Sequence, residues 1–197
     1  ASISVTQDAG QALFYVGGAY GYLGLAEFAD GSVFSAVGTA KKGFNLQEKL
    51  ITVCPNCHDA YLGPGMMNLM ASAVPWFLRK VLWLFGLSGT EEKAYEYLTT
   101  AYEKGTLVRF EAGSYLAKVY ERRKQFQEAS VIYKQLVNNY PRNVYLRVDY
   151  FSPLWHLKRY DEIIQSANEV ISIFATSSIP FGRSDSAWIP TIASNLG

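Results

Sequence analysis

Residues 111–141 read EAGSYLAKVYERRKQFQEASVIYKQLVNNYP, and this stretch decides the fold. Apolar or small residues recur at Leu116, Ala117 and Tyr120, and again at Phe126, Ala129, Tyr133 and Leu136. Steps of three and four lay such residues along one face of an α-helix. Between the two runs stands Arg122-Arg123-Lys124-Gln125, a short polar turn. Pro141 then stops the second run, because it has no N–H to donate and its ring clashes with the preceding turn. The stretch therefore predicts two antiparallel helices joined by a tight turn.

The same order returns further along the chain. A shift of about 34 residues, the length of a common helix–turn–helix repeat, reaches Tyr150, Phe151, Leu154, Tyr160, Ile163, Ala167 and Val170. Tyr160-Asp161-Glu162 opens the second helix of that copy. Pro153 is predicted to kink the first, and Ala175 stands where a proline is expected. Two weaker copies precede. Leu62, Gly63 and Met66 begin one, and Ala94, Leu98 and Ala101 complete it beyond an insertion at 69–90. Gly105 is its expected helix stop. Val16, Gly17 and Tyr20 begin the other, which Ala36, Ala40 and Gly43 continue with longer helices. The predicted architecture is an all-α solenoid of about four helical hairpins over 1–175, with one inserted apolar helix near 75–87. The stretch 176–197, rich in Ser, Pro and Gly, is predicted to be an irregular arm.

The pattern resembles the tetratricopeptide repeat: Leu-small-x-x-Tyr, an aromatic before the second helix, Ala at the crossing, an aromatic one turn on, and a final Pro. The middle of the chain resembles something narrower. Asp59-Ala60-Tyr61-Leu62-Gly63, Val74-Pro75-Trp76-Phe77-Leu78 and Leu84-Phe85-Gly86-Leu87-Ser88-Gly89 are similar to bacterial relatives of the eukaryotic inclusion-body-clearance proteins of the mitochondrial outer surface. That resemblance implies a non-enzymatic adaptor near a membrane. The repeat resemblance implies a concave groove lined by the first helix of each hairpin. On this register the groove carries Phe14, Tyr22, Met67, Lys118, Glu121, Arg122, Tyr145, Trp155 and His156. A mixed aromatic and basic groove suits a peptide with a carboxylate or acidic side chains. The competing reading for any one of these residues is a solvated helix face.

Composition excludes several classes. The chain has 197 residues, 49% of them hydrophobic and 15% aromatic, enough for a real core. Eighteen basic and 17 acidic residues leave a net charge of +1, with no basic stripe for nucleic acid. Two cysteines three residues apart exclude a disulfide scaffold. The opening Ala-Ser-Ile-Ser fits a mature product after signal removal, which would favour a bacterial periplasm or cell envelope over the cytoplasm, or an excised fragment.

Cys54-Pro55-Asn56-Cys57-His58 is the sharpest chemical motif. C-x-x-C-H is the attachment pattern of c-type haem, in which two thiols take the haem vinyls and the His ligates iron. A monohaem electron carrier is therefore the alternative function. Against it, Pro55 falls at the expected inter-hairpin proline, and His156 would stand on the order of 20 Å away in a stack of hairpins. Dithiol redox chemistry would want a βαβ context that this chain lacks, and zinc would want a fourth ligand. No nucleophile–base pair, phosphate loop or paired carboxylates appear, so no catalytic or metal-ligating residue is assigned.

The inserted segment is the most apolar. Met66 to Leu87 has the length of a membrane span but contains Asn68, Pro75, Arg79 and Lys80, so it is expected to be buried or interfacial. Trp76 and Trp83 are its candidate contacts with a partner or a lipid surface. The expected function is a scaffold that binds a protein or peptide, with no cofactor, and oligomerisation is compatible with the pattern.

Overall fold

A computed structural model of the protein describes residues 7–75, 83 and 88–176. Eight α-helices follow one another among these residues: α1 (Gln7–Ala29), α2 (Val33–Val53), α3 (Leu62–Ala73), α4 (Glu91–Lys104), α5 (Arg109–Arg122), α6 (Phe126–Asn139), α7 (Val144–His156) and α8 (Tyr160–Thr176). A short 3₁₀ turn, His58–Tyr61, leads into α3. Consecutive helices pack on one another, giving the four expected hairpins α1/α2, α3/α4, α5/α6 and α7/α8.

The last two hairpins repeat each other closely. Small residues are buried in both, Ala117 and Ala129 in the third hairpin and Ala167 in the fourth. Around them close Leu116, Tyr133, Leu136, Tyr150, Leu154 and Ile163, one continuous core. Even the turns match. Lys124 and Lys158, 34 positions apart, both take a left-handed backbone, with φ of 59° and 57°. Gln125 N–H donates to the Tyr120 carbonyl and Arg159 N–H to the Leu154 carbonyl, which satisfies helix-end acceptors in the Schellman manner. α6 ends at Asn139, two residues before Pro141, as predicted.

Pro153 lies inside α7 and fully buried, and the helix runs through it to His156. Gly105 does cap α4, but with φ of −67° and not by left-handed geometry. Space is what it supplies: a Cβ there would lie 2.3 Å from the Ala101 carbonyl oxygen and 2.8 Å from Asp59 Oδ1.

The second hairpin forms across its insertion because both ends of the inserted chain are gripped at one place. Asn68, buried on α3, donates from Nδ2 to the Pro64 carbonyl and accepts from Thr90 N–H through Oδ1. Thr90 in turn caps α4, accepting from Lys93 N–H at 3.2 Å. Of the inserted helix predicted near 75–87 only Pro75 and Trp83 are described, and the arm at 176–197 beyond Thr176 lies outside the described residues. Trp83 itself is helical and 72% exposed.

α1 departs most from an ordinary repeat. Gly10, Gly17, Gly18, Gly21 and Gly24 interrupt it, each costing roughly 1 kcal/mol of helix propensity relative to Ala. Packing offsets that cost. At Gly43 of α2 an added Cβ would lie 2.6 Å from the Gly17 carbonyl oxygen, so the two helix backbones nearly touch. No described helix is long and apolar enough to cross a membrane.

Candidate interaction face

The register of the last two hairpins builds the site. Glu111, Tyr115, Lys118 and Arg122 share one face of α5 at spacings of four, three and four. Tyr145, Asp149, Ser152 and His156 share the equivalent face of α7, 34 residues on. Contacts run between the two faces. Lys118 Nζ lies 3.3 Å from Asp149 Oδ2, and Ser152 Oγ donates to Glu121. The other Glu121 oxygen accepts from the buried Tyr133 hydroxyl at 2.9 Å. His156 stacks on Phe126, with ring centroids 3.9 Å apart and planes 10° from parallel. Tyr145 is 71% exposed, and Trp155 is 56% exposed with Tyr160 edge-on to it at 5.4 Å.

The expected groove residues thus fall into different settings. Tyr145 and Trp155 offer open aromatic surface. Lys118 is exposed but already beside a carboxylate, so the basic character expected of this face is largely balanced. Arg122 is committed to the stack: Nη1 donates to the Leu69 carbonyl and to Ser72 Oγ, each at 3.2 Å, and Nε lies 3.3 Å from Glu91. Removing it would unfasten α5 from α3 and from the start of α4. Met67 is half-buried on α3. Trp76 lies outside the described residues.

The N-terminal end of the face is not open either. Phe14, expected in the groove, packs against Ala101, Val108 and Ala112. Tyr22 remains exposed, and its phenol lies near Tyr115. Burial pushes the Tyr115 hydroxyl pKa up, Lys118 works against that rise, and Tyr22 and Glu111 add to it. α1 therefore leans towards α5, and the open part of the face lies over α5 and α7.

The cysteine motif occupies the junction between the first hairpin and the rest. Cys54 caps the end of α2, and a disulfide joins it to Cys57, Cα to Cα 5.4 Å. In this state neither sulfur is free to bond a haem vinyl group. His58 lies 6.5 Å from Tyr61, ring centre to ring centre, and Tyr61 Oη donates to the Pro55 carbonyl at 3.1 Å. His156, on its Phe126 stack, belongs to the opposite end of the solenoid. Among the described residues no group of His, Cys, Asp and Glu is placed to hold a metal ion.

Beside the motif is a residue the repeat pattern did not single out. Asp59 accepts from the N–H groups of Thr106, Leu107 and Val108 at 2.8, 3.0 and 3.2 Å, and from Thr106 Oγ1 at 3.0 Å. One carboxylate thereby satisfies the donors that precede α5. Arg147 was missed as well. It is buried, pairs with Glu169 on α8 and donates twice to the Pro141 carbonyl, at 3.0 and 2.9 Å. A further cleft, about 410 Å³, opens at the far edge among Tyr102, Arg109, Phe110, Gln135 and Tyr140.

No family model and no curated protein matches the sequence. Among solved structures, the crystal structure of MamA protein superimposes over 85% of this chain and 98% of that one. The TM-score is 0.51 at 12% identity. The fold is a tetratricopeptide-type helical solenoid. At so low an identity the likeness speaks for the fold alone.

Proposed function

We propose that the protein is a non-enzymatic scaffold that holds a segment of a protein partner across α5 and α7. The observation that carries this reading is the pair of exposed aromatics, Tyr145 and Trp155, on a helix tied to α5 by Asp149 to Lys118 and by Ser152 to Glu121. Large, stiff aromatic surface on a packed support is what dominates peptide-binding energetics. Because Lys118 is balanced by Asp149, the fitting partner is a segment of mixed polarity with apolar anchors rather than a strongly acidic one. The narrower sequence resemblance around 59–98 supports a place near a membrane surface, and exposed Trp83 offers one contact for it.

The test uses peptides selected from a display library against the intact protein. Tyr145→Ala with Trp155→Ala should weaken the selected peptides at least tenfold while the helical circular dichroism and melting point hold. Truncation at a hot spot typically costs about 2 kcal/mol or more. Unchanged binding in a folded double variant would remove this face from consideration.

A further inference from the structure

The first helix presents a face that nothing described in the chain covers. α1 buries Gly10, Gly17 and Gly24. On its opposite side the exposed residues between Gln11 and Ala26 include no charge. The nearest charges along the helix are Asp8 and Glu27. A helix apolar on all sides is normally covered on all sides, and an exposed apolar patch of this kind marks an interaction surface.

The pattern on that face says what covers it. Ala12, Tyr15, Ala19, Tyr22 and Ala26 are all exposed and follow one another at three, four, three and four residues. This is heptad spacing, the signature of a helix that packs lengthwise on another helix. Small and large side chains alternate along the seam. Two copies run antiparallel about a two-fold axis at Ala19 bring Ala12 opposite the second copy's Ala26, and Tyr15 opposite its Leu23. Each bulky residue then meets a different neighbour, and the small residues let the backbones approach. A parallel pairing would instead set Tyr15 against Tyr15 and Tyr22 against Tyr22, with alanine against alanine between them.

We infer that α1 is a self-association surface, on which a second copy of this chain packs antiparallel through the Ala12–Ala26 seam. Tyr15, Val16, Tyr22 and Leu23 are 58%, 48%, 68% and 49% exposed. With the exposed alanines between them they offer on the order of 600 Å² per copy, so complete burial in a pair would remove about 1,200 Å², the lower edge of specific interfaces. The seam lies opposite the side on which α1 meets α2, so pairing leaves the first hairpin intact. It needs neither Tyr145 nor Trp155, so this inference and the peptide-binding reading can fail separately, although Tyr22 borders Tyr115 of α5.

Sedimentation and light scattering of the intact chain across micromolar concentrations test the inference. The native chain should dimerise. Ala19→Glu, an exposed and helix-compatible change that sets like charges together at the axis, should raise the dimer dissociation constant at least tenfold with the helical spectrum unchanged. Thiol cross-linking fixes the direction. Ala19→Cys should link two copies efficiently. Ala12→Cys alone should not, whereas Ala12→Cys combined with Ala26→Cys should. A native chain that stays monomeric throughout overturns the inference, as does a dimer indifferent to Ala19→Glu. Efficient cross-linking of Ala12→Cys alone would show a parallel pair and overturn the antiparallel seam. Monomers that float with phosphatidylcholine vesicles, and lose that binding in Ala19→Glu, would assign the face to lipid and overturn it too.

Discussion

The third hairpin and the first are both pairs of antiparallel helices, yet they are closed in opposite ways. α5 and α6 are held by side chains: Leu116, Tyr133 and Leu136 fill the space around Ala117 and Ala129. α1 and α2 are held by the absence of side chains. Gly17 and Gly43 bring backbone to backbone, and Gly24 sits against Ala36 and Ala40. The first kind of closure writes itself into the chain as a pattern of large and small residues that can be copied 34 positions on. The second leaves only glycines, whose positions depend on where two backbones happen to cross. That difference accounts for a clear repeat pattern at the third and fourth hairpins and a faint one at the first.

The largest expected effect falls on the side-chain-closed hairpin. Tyr133 is fully buried at the centre of the core, with its hydroxyl on Glu121. Tyr133→Ala should cost about 4 kcal/mol, the usual range for truncating a buried aromatic. Because this residue joins the third hairpin to the fourth through Tyr150, urea unfolding should shift as one transition for α5 to α8. Loss of less than about 1 kcal/mol would show that the core tolerates a cavity there and would blur the contrast.

Gly43→Val tests the other closure. Its new Cβ would lie 2.6 Å from the Gly17 carbonyl oxygen and 3.1 Å from Gly21 N, both backbone atoms that cannot turn aside. The expected cost is about 3 kcal/mol, at the upper end for overpacking. Here the damage should be local. Hydrogen exchange should speed up in α1 and α2, while the core amides of α6 and α7 keep their protection. Global unfolding in place of a local opening would mean that the first hairpin supports the others.

The sequence made the last two hairpins, their boundaries and the exposure of Tyr145 and Trp155 legible, because local helical spacing decides all three. It did not reveal the setting of Arg122, whose hydrogen-bond partners Leu69 and Ser72 lie 53 and 50 residues away. Nor did it reveal Phe14 as a packing residue, since the lean of α1 towards α5 is set by tertiary contacts. Asp59 was hidden for the same reason: its partners lie 47 to 49 residues on. The repeat pattern reports what each helix does to its neighbour in sequence and is silent on longer ties.

Asp59 sharpens the comparison because it stands at the junction of the two kinds of hairpin. Asp59→Asn keeps the shape but replaces a charged acceptor by an amide with only one acceptor oxygen. That oxygen can keep the three N–H groups now on Oδ1, but without the charge, and the amide NH2 replaces the Oδ2 that accepts from Thr106 Oγ1; the loss should be about 2 kcal/mol, in line with hydrogen bonds to charged groups. Thermal unfolding would measure it. A variant as stable as the native chain would show that water serves the Thr106–Val108 amides equally well.

The smallest effect is expected at the disulfide a few residues earlier. Cys54 and Cys57 close a loop of only four residues, and the chain-entropy account of so short a loop allows roughly 2 kcal/mol at most. The turn is already fixed by other bonds: Cys57 N–H to the Cys54 carbonyl and Ala60 N–H to the Cys57 carbonyl, both at 2.9 Å, and Tyr61 Oη to the Pro55 carbonyl. Much of the loop's freedom is therefore lost without the covalent link, and Cys54→Ser with Cys57→Ser should cost about 1 kcal/mol or less. Native protein purified without reductant should show no free thiol to a maleimide probe and gain two on reduction, with little change in melting temperature. The same material decides the haem alternative. Thioether bonds to haem would leave no thiols after reduction and a Soret band that survives acid–acetone extraction. That outcome would replace the disulfide by a cofactor and make this junction the functional centre of the molecule, ahead of the α5/α7 face.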